Sequence, residues 1–121
     1  MKALVTGGAG FIGSHLSEAL VRVGARTRGL LRYNAVGSRG WLDKSPESEA
    51  IEITMGDVAD RESMRAAFKD VDVVFHLAAL IAIPYSYSAP LSYVRTNVEG
   101  TLNVLQLARE MGVSRLVHTS T

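Results

Sequence analysis

The chain has 121 residues, 47% of them hydrophobic and 21% charged, which suits one globular core and lacks the polar bias of a disordered segment. Its 13 basic and 12 acidic side chains leave a formal net charge of +1, so no long-range field draws it to nucleic acid or to an acidic membrane. With no cysteine, disulfides, thiol catalysis and cysteine-bound zinc or iron–sulfur centres are excluded, and a reducing cytoplasm is the expected setting.

"KALVT" (2–6) is a short apolar run bounded by glycines and reads as a buried strand. "FIGSHLSEALVRVG" (11–24) sets Ile12, Leu16, Leu20 and Val23 on one face of a helix that Gly24 ends. "RTRGLLR" (26–32) is a second strand, and the polar stretch that follows, with its glycines and proline, reads mostly as a long loop. "IEITMGD" (51–57) is a third strand, and Asp60 then caps a helix with Met64, Ala67 and Phe68 turned inward.

"VDVVFHLAA" (71–79) is a fourth strand, so continuously apolar that both its faces should be covered. The run that contains it, "VVFHLAALIAI", is well short of the roughly 18 residues a membrane helix needs, and no membrane partner is expected. "IAIPYSYSAP" reads as loop, and a long helix from about Leu91 to Met111 carries Val94, Val98, Leu102, Leu105 and Ala108 along one side. Gly112 stops it, and "SRLVHTS" is the fifth strand. Strands alternating with helices predict an α/β fold, a Rossmann-type doubly wound parallel sheet with strand order 3-2-1-4-5. Its ligand crevice should lie where that order reverses, between strands one and four.

"TGGAGFIG" joins the first strand to the first helix, with Gly7, Gly10 and Gly13 in the pattern GxxGxxG. Gly7 can adopt a backbone conformation closed to other residues, Gly10 lets the chain approach a pyrophosphate, and Gly13 lets the helix pack closely on the sheet. The helix then opens at Phe11 and Ile12 with free N–H groups and a partial positive charge. No Lys-Ser or Lys-Thr follows the last glycine, which disfavours a phosphate-gripping P-loop. His76 and His118 fall within apolar strands and are expected to be buried and hydrogen-bonded rather than catalytic.

In this order, "TGGAGFIG", "GDVAD", "HLAA", "NVEGT" and "HTST" resemble the extended short-chain dehydrogenase/reductases, in the branch of nucleotide-sugar epimerases and dehydratases. The resemblance covers essentially the whole chain and implies a dinucleotide cofactor. NAD-dependent members commonly carry an acidic residue at the end of the second strand, where this chain has Leu31 and then Arg32. A guanidinium there suits a 2′-phosphate, which favours NADP, with NAD as the alternative and a solvated loop arginine as the plainer reading. By the same resemblance, Asp57 reaches the adenine amino group with Val58 beside the ring. Leu77, Ala78 and Ala79 line the ribose and pyrophosphate, and Asn97 orders the centre of the site. Asp57 also reads as a turn former, residues 77–79 as strand core, and Asn97 as a solvated position.

The family's engine is a Tyr-x-x-x-Lys pair, in which the lysine and cofactor lower the tyrosine's pKa for proton transfer. Four residues beyond Tyr33, Tyr85, Tyr87 and Tyr93 stand Gly37, Ala89, Leu91 and Asn97, so no such pair is present. Thr121 matches the family threonine that hydrogen-bonds the sugar's reacting oxygen. Residues 1–121 are therefore expected to be an incomplete dinucleotide-binding domain, truncated after the fifth strand and without its substrate domain. "LLRYNAVGSRGWLD" resembles the cofactor loop of 4,6-dehydratases, and 4-epimerases come next. The resemblance implies a nucleotide-sugar substrate and oxidation at sugar C4, loss of water across C5 and C6, and return of hydride to C6. A non-catalytic nucleotide-binding or redox-sensing module, or a remnant without function, are the competing readings. An apolar fifth strand on an open edge predicts self-association.

Overall fold

The computed structural model describes residues 1–33 and 37–120, and its centre is a five-stranded parallel sheet. The strands are β1 (Lys2–Thr6), β2 (Arg26–Leu31), β3 (Ile51–Met55), β4 (Val73–His76) and β5 (Arg115–His118). Their order is β3-β2-β1-β4-β5, the expected 3-2-1-4-5. In register, Thr6 lies beside Leu30 on one flank and His76 on the other, so these strands deliver their carboxyl ends to one edge of the sheet. β1 is buried along its whole length, and its side chains alternate between two cores. Leu4 joins Leu30, Met64, Phe68, Val74, Val104 and Leu107 on one face, while Ala3 and Val5 meet Leu20 on the other.

The first helix, α1 (Phe11–Arg22), lies where the periodicity put it but buries a different face. Gly13, Ser14, Ser17 and Leu20 face inward, whereas Ile12 is 65% exposed and Val23 is also exposed. Two serines can be buried because the helix satisfies them: Ser14 Oγ donates to the Phe11 carbonyl and Ser17 Oγ to that of Gly13. The rotation follows from Gly13, which must face the glycine loop.

After β3, Asp60 caps α2 (Arg61–Met64) as expected, accepting the Ser63 N–H, and the chain tightens into a 3₁₀ turn over Arg65–Phe68. Met64, Ala67 and Phe68 are fully buried. The segment read as loop after β4 instead contains α3 (Ile83–Ser88), begun by Pro84 in its first turn, where a missing N–H costs nothing.

The long second-half helix is not uniform. It runs as α4 (Pro90–Tyr93), a π-helical turn (Val94–Glu99) and α5 (Gly100–Glu110). Its inward face is Gly100, Val104, Leu107 and Ala108. Of the predicted stripe only Ala108 turns inward; Val98 is 64% and Leu102 53% exposed, and Val94 and Leu105 are exposed as well. Gly100 explains the choice: a Cβ there would stand 2.7 Å from Val58 Cγ2, so only glycine admits the contact and the residues one and two turns on follow it inward. No helix among the described residues is long and apolar enough to cross a membrane.

Candidate functional site

At the carboxyl edge of the sheet lies a cleft of about 280 Å³ walled by Gly7 and Gly10 from the first loop, Leu31 and Arg32 after β2, and Asp57 and Val58 after β3. Ala78, Ala79, Leu80 and Thr96 close its other side. The glycine loop is shaped by contacts that no side chain would survive. Gly7 sits at φ 71°, and a Cβ on it would lie 3.1 Å from the Ala78 nitrogen. A Cβ on Gly13 would lie 2.1 Å from the Gly7 carbonyl oxygen, so the close approach it permits is to the loop itself rather than to the sheet.

Gly10 N–H donates to the Gly7 carbonyl at 3.0 Å, and Ser14 N–H returns to the Gly10 carbonyl at 2.9 Å. That last bond is the first intrahelical one, leaving the N–H groups of Phe11, Ile12 and Gly13 without an i−4 carbonyl. Gly10 offers no capping side chain and the first turn has no acidic residue, so the positive end of α1 opens toward the cleft uncompensated. The Phe11 and Ile12 side chains point away and are exposed; Phe11 meets the edge of Trp41 with ring centroids 5.1 Å apart. Trp41 belongs to a 3₁₀ turn (Gly40–Lys44) whose backbone is pinned to the glycine loop, Trp41 N–H donating to the Ala9 carbonyl at 3.0 Å.

Across the cleft, Arg32 and Asp57 face each other, Nε to Oδ2 at 3.8 Å, and the Arg32 side chain is 72% exposed. Asp57 is also a turn former: its Oδ1 accepts the Ala59 N–H at 2.9 Å. One carboxylate thus holds the turn with one oxygen and meets the arginine with the other. Val58 is buried against Gly100, and its carbonyl accepts from Asn103 Nδ2 at 2.9 Å.

Leu77 departs from expectation. Its side chain packs against the Ala3, Val5 and Leu20 core, while Ala78 and Ala79 alone of that trio reach the cleft. β4 stops at His76 because the next N–H groups turn aside, those of Leu77 and Ala78 donating to Thr6 Oγ1 at 3.0 and 3.1 Å. Asn97 acts on this same segment: its Oδ1 accepts the Leu80 N–H and its Nδ2 donates to the Leu80 carbonyl, both at 2.9 Å. It stands in the π turn, where the widened backbone coil places Thr96 on the cleft. Thr121 lies outside the described residues.

His76 is buried as expected, and burial, with a smaller push from His118, lowers its pKa to about 4. His118 is exposed rather than buried: among the described residues β5 is flanked by β4 alone.

Residues 4–121 match the family model described as GDP-mannose 4,6 dehydratase. The chain belongs to this family of nucleotide-sugar epimerases and dehydratases. Among curated relatives, it is 36% identical to the UDP-glucose 4-epimerase of Streptococcus mutans over 124 residues, covering 100% of this chain and 36% of the relative. It is 37% identical to the dTDP-glucose 4,6-dehydratase of Streptomyces antibioticus, again over 100% of this chain and 37% of the relative. Among solved structures, the NAD complex of UDP-glucose 4-epimerase from Thermus thermophilus superposes with a TM-score of 0.84 at 36% identity, over 100% of this chain and 38% of that one. This family member therefore spans little more than a third of the length of the relatives it matches.

Thr6 and Thr96 escaped the motif reading of this dehydratase-family chain. Thr6 had a signal, a hydroxyl at the carboxyl end of the first strand, where ligand crevices form. Thr96 had none, because its position depends on the π turn.

Proposed function

We propose that this chain is the dinucleotide-binding part of a nucleotide-sugar-modifying oxidoreductase, holding NADP in preference to NAD. The observation that carries the reading is the uncapped amino end of α1 opening on a cleft whose walls come from the ends of four adjacent strands. The backbone of Gly7, Gly10, Phe11, Ile12 and Gly13 would receive the pyrophosphate there, in a loop whose shape a Cβ at Gly7 or Gly13 would disturb by crowding Ala78 or the Gly7 carbonyl. Asp57 and Val58 would take the adenine, and Ala78 and Ala79 the ribose, with Leu77 serving through its backbone. Asn97 would act by holding Leu80 in place. The bound dinucleotide would supply the hydride acceptor and donor for chemistry at sugar C4.

Arg32 supports the NADP preference: it stands at the cleft, is largely exposed and is free to turn from Asp57 toward a 2′-phosphate. NAD is the second reading, favoured by the solved epimerase that holds it. A 4,6-dehydratase is the proposed parent activity and a 4-epimerase the next, both being represented among the relatives. In that activity Thr121 would orient the C4 hydroxyl. Without a Tyr-x-x-x-Lys pair the 121 residues are not expected to turn over substrate alone. A cytoplasmic setting belongs to the same proposal.

Calorimetric titration tests the cofactor assignment. NADP is expected to bind about tenfold more tightly than NAD, and Arg32→Ala to erase that preference, the difference being that of one charge-assisted hydrogen bond, ~1.4 kcal/mol. Equal affinity in both proteins sinks the NADP assignment, and no binding of either dinucleotide sinks the whole reading.

Self-association is part of the proposal too. Among the described residues β5 pairs with β4 alone, and its Arg115, Val117 and His118 are exposed, so these 121 residues offer a template for a second chain. Sedimentation velocity should show mass rising with concentration; a single monomer boundary throughout contradicts it.

A further inference from the structure

His76 ends β4 with only 3% of its surface exposed, and each of its ring nitrogens meets a hydroxyl. Nδ1 lies 2.8 Å from Thr6 Oγ1, and Nε2 lies 3.1 Å from Thr101 Oγ1. Both hydroxyls are otherwise committed. Thr6 Oγ1 already accepts the N–H groups of Leu77 and Ala78, so what it has left to offer Nδ1 is its own proton. Thr101 Oγ1 donates to the Asn97 carbonyl at 2.7 Å, so toward Nε2 it can only accept.

One state of the ring meets both demands: neutral, with its proton on Nε2. A proton on Nδ1 would oppose the Thr6 hydroxyl proton and strip Thr101 of its donor. The charged ring repeats the first of those conflicts. The resulting chain runs from the Ala78 N–H through Thr6, His76 and Thr101 to Asn97, whose amide grips Leu80. It starts and ends on the same short stretch of cleft wall.

We propose that His76, held as its Nε2–H tautomer, is a positioning residue that couples the cleft wall at residues 78–80 to the π turn carrying Asn97. Its effect on ligand affinity rests on the dinucleotide-binding reading above. Burial keeps the ring neutral at physiological pH, with a pKa of about 4. The titratable group facing it is His118 of β5, stacked with centroids 5.6 Å apart, while β1 and α5 present the uncharged hydroxyls of Thr6 and Thr101.

Nitrogen-15 spectra of the full chain at pH 7 should show His76 protonated on Nε2; protonation on Nδ1 overturns the proposal. Calorimetry with NADP should show Thr101→Val weakening binding about tenfold, the scale of one lost buried hydrogen bond, and Thr101→Ser restoring it to within about twofold. A Val variant that binds like the unsubstituted chain, or a Ser variant as weak as Val, overturns it. Affinity should hold between pH 8 and 6.5 and decline as the pH approaches 4, where the ring protonates. Failure of the unsubstituted chain to bind any dinucleotide refutes the functional reading instead. Hydrogen exchange then decides the coupling: Leu80 N–H exchange about tenfold faster in Thr101→Val but not in Thr101→Ser supports it, and equal rates in all three overturn it.

Discussion

Gly13→Ala is expected to abolish measurable dinucleotide binding, a loss of at least about 100-fold, and to destabilise the chain by about 2–4 kcal/mol. Two effects oppose each other at this site. Within a helix, alanine is intrinsically better than glycine by ~1 kcal/mol, which alone would make the variant more stable. Against this stands a Cβ placed 2.1 Å from the Gly7 carbonyl oxygen, 2.9 Å from its carbon and 3.1 Å from the Gly8 Cα, all backbone atoms with no rotamer to change. Steric overlap wins, so α1 must lift away from the loop and carry its N–H groups out of line with the cleft. Gly24→Ala is the control: nothing lies within 4 Å, and only its φ of 88° is unfavourable, so it should cost about 1 kcal/mol and leave binding intact. Urea denaturation with calorimetry measures both terms. A Gly13→Ala protein that binds normally would show that the loop adapts and that its tight geometry is not what the cleft requires.

Arg28→Ala is expected to lower stability by about 3–4 kcal/mol without any contact to the cleft. Arg28 is buried in the middle of β2, and its Nη1 donates to the carbonyls of Ala67 at 2.6 Å, Lys69 at 3.0 Å and Ala66 at 3.4 Å. Those carbonyls end the 3₁₀ turn after α2, so one guanidinium closes the turn that buries Phe68. Its Nη2 reaches Glu52 at 3.1 Å, and hydrogen bonding from Arg28 holds the Glu52 carboxyl below the usual range. Glu52 is half exposed and also meets Lys2 Nζ at 3.3 Å, so on losing Arg28 it rehydrates at little cost. The carbonyls cannot, and they carry the penalty. Arg28→Lys, which can serve one carbonyl at a time, should fall between. A loss under about 1 kcal/mol in equilibrium denaturation would mean that water replaces the guanidinium.

Much of this protein is legible in its sequence, because the relevant signals are local. Strand and helix order, the glycine loop at the first turn and the Asp60 cap each depend on a few consecutive residues and on backbone sterics. The 3-2-1-4-5 order followed because parallel crossovers have one hand and few arrangements. Helix faces were less legible. α5 carries two apolar stripes, and periodicity identifies stripes without saying which one meets the sheet. Gly100 settled that through a contact with Val58, 42 positions away in sequence, just as Gly13 turned α1 to bury serines over Ile12. The same holds for function. Asn97, Asp57 and the glycines could be named from motifs, but their partners could not: Leu80 for Asn97, Arg32 and Ala59 for Asp57, and Gly7 for Gly13. Thr6, His76 and Thr101 each stand in one of the quoted motifs, but nothing in those motifs says that they meet in one buried chain, since it joins β1, β4 and α5. The sequence by itself determined the five strands, their order and the start of α1 and α2, because backbone propensity and hydrophobic period act over one or two turns, but it missed α3 and the π turn. Only the tertiary structure decided which face each helix buried and which polar groups met, because those outcomes rest on steric and hydrogen-bond demands between residues distant in the chain.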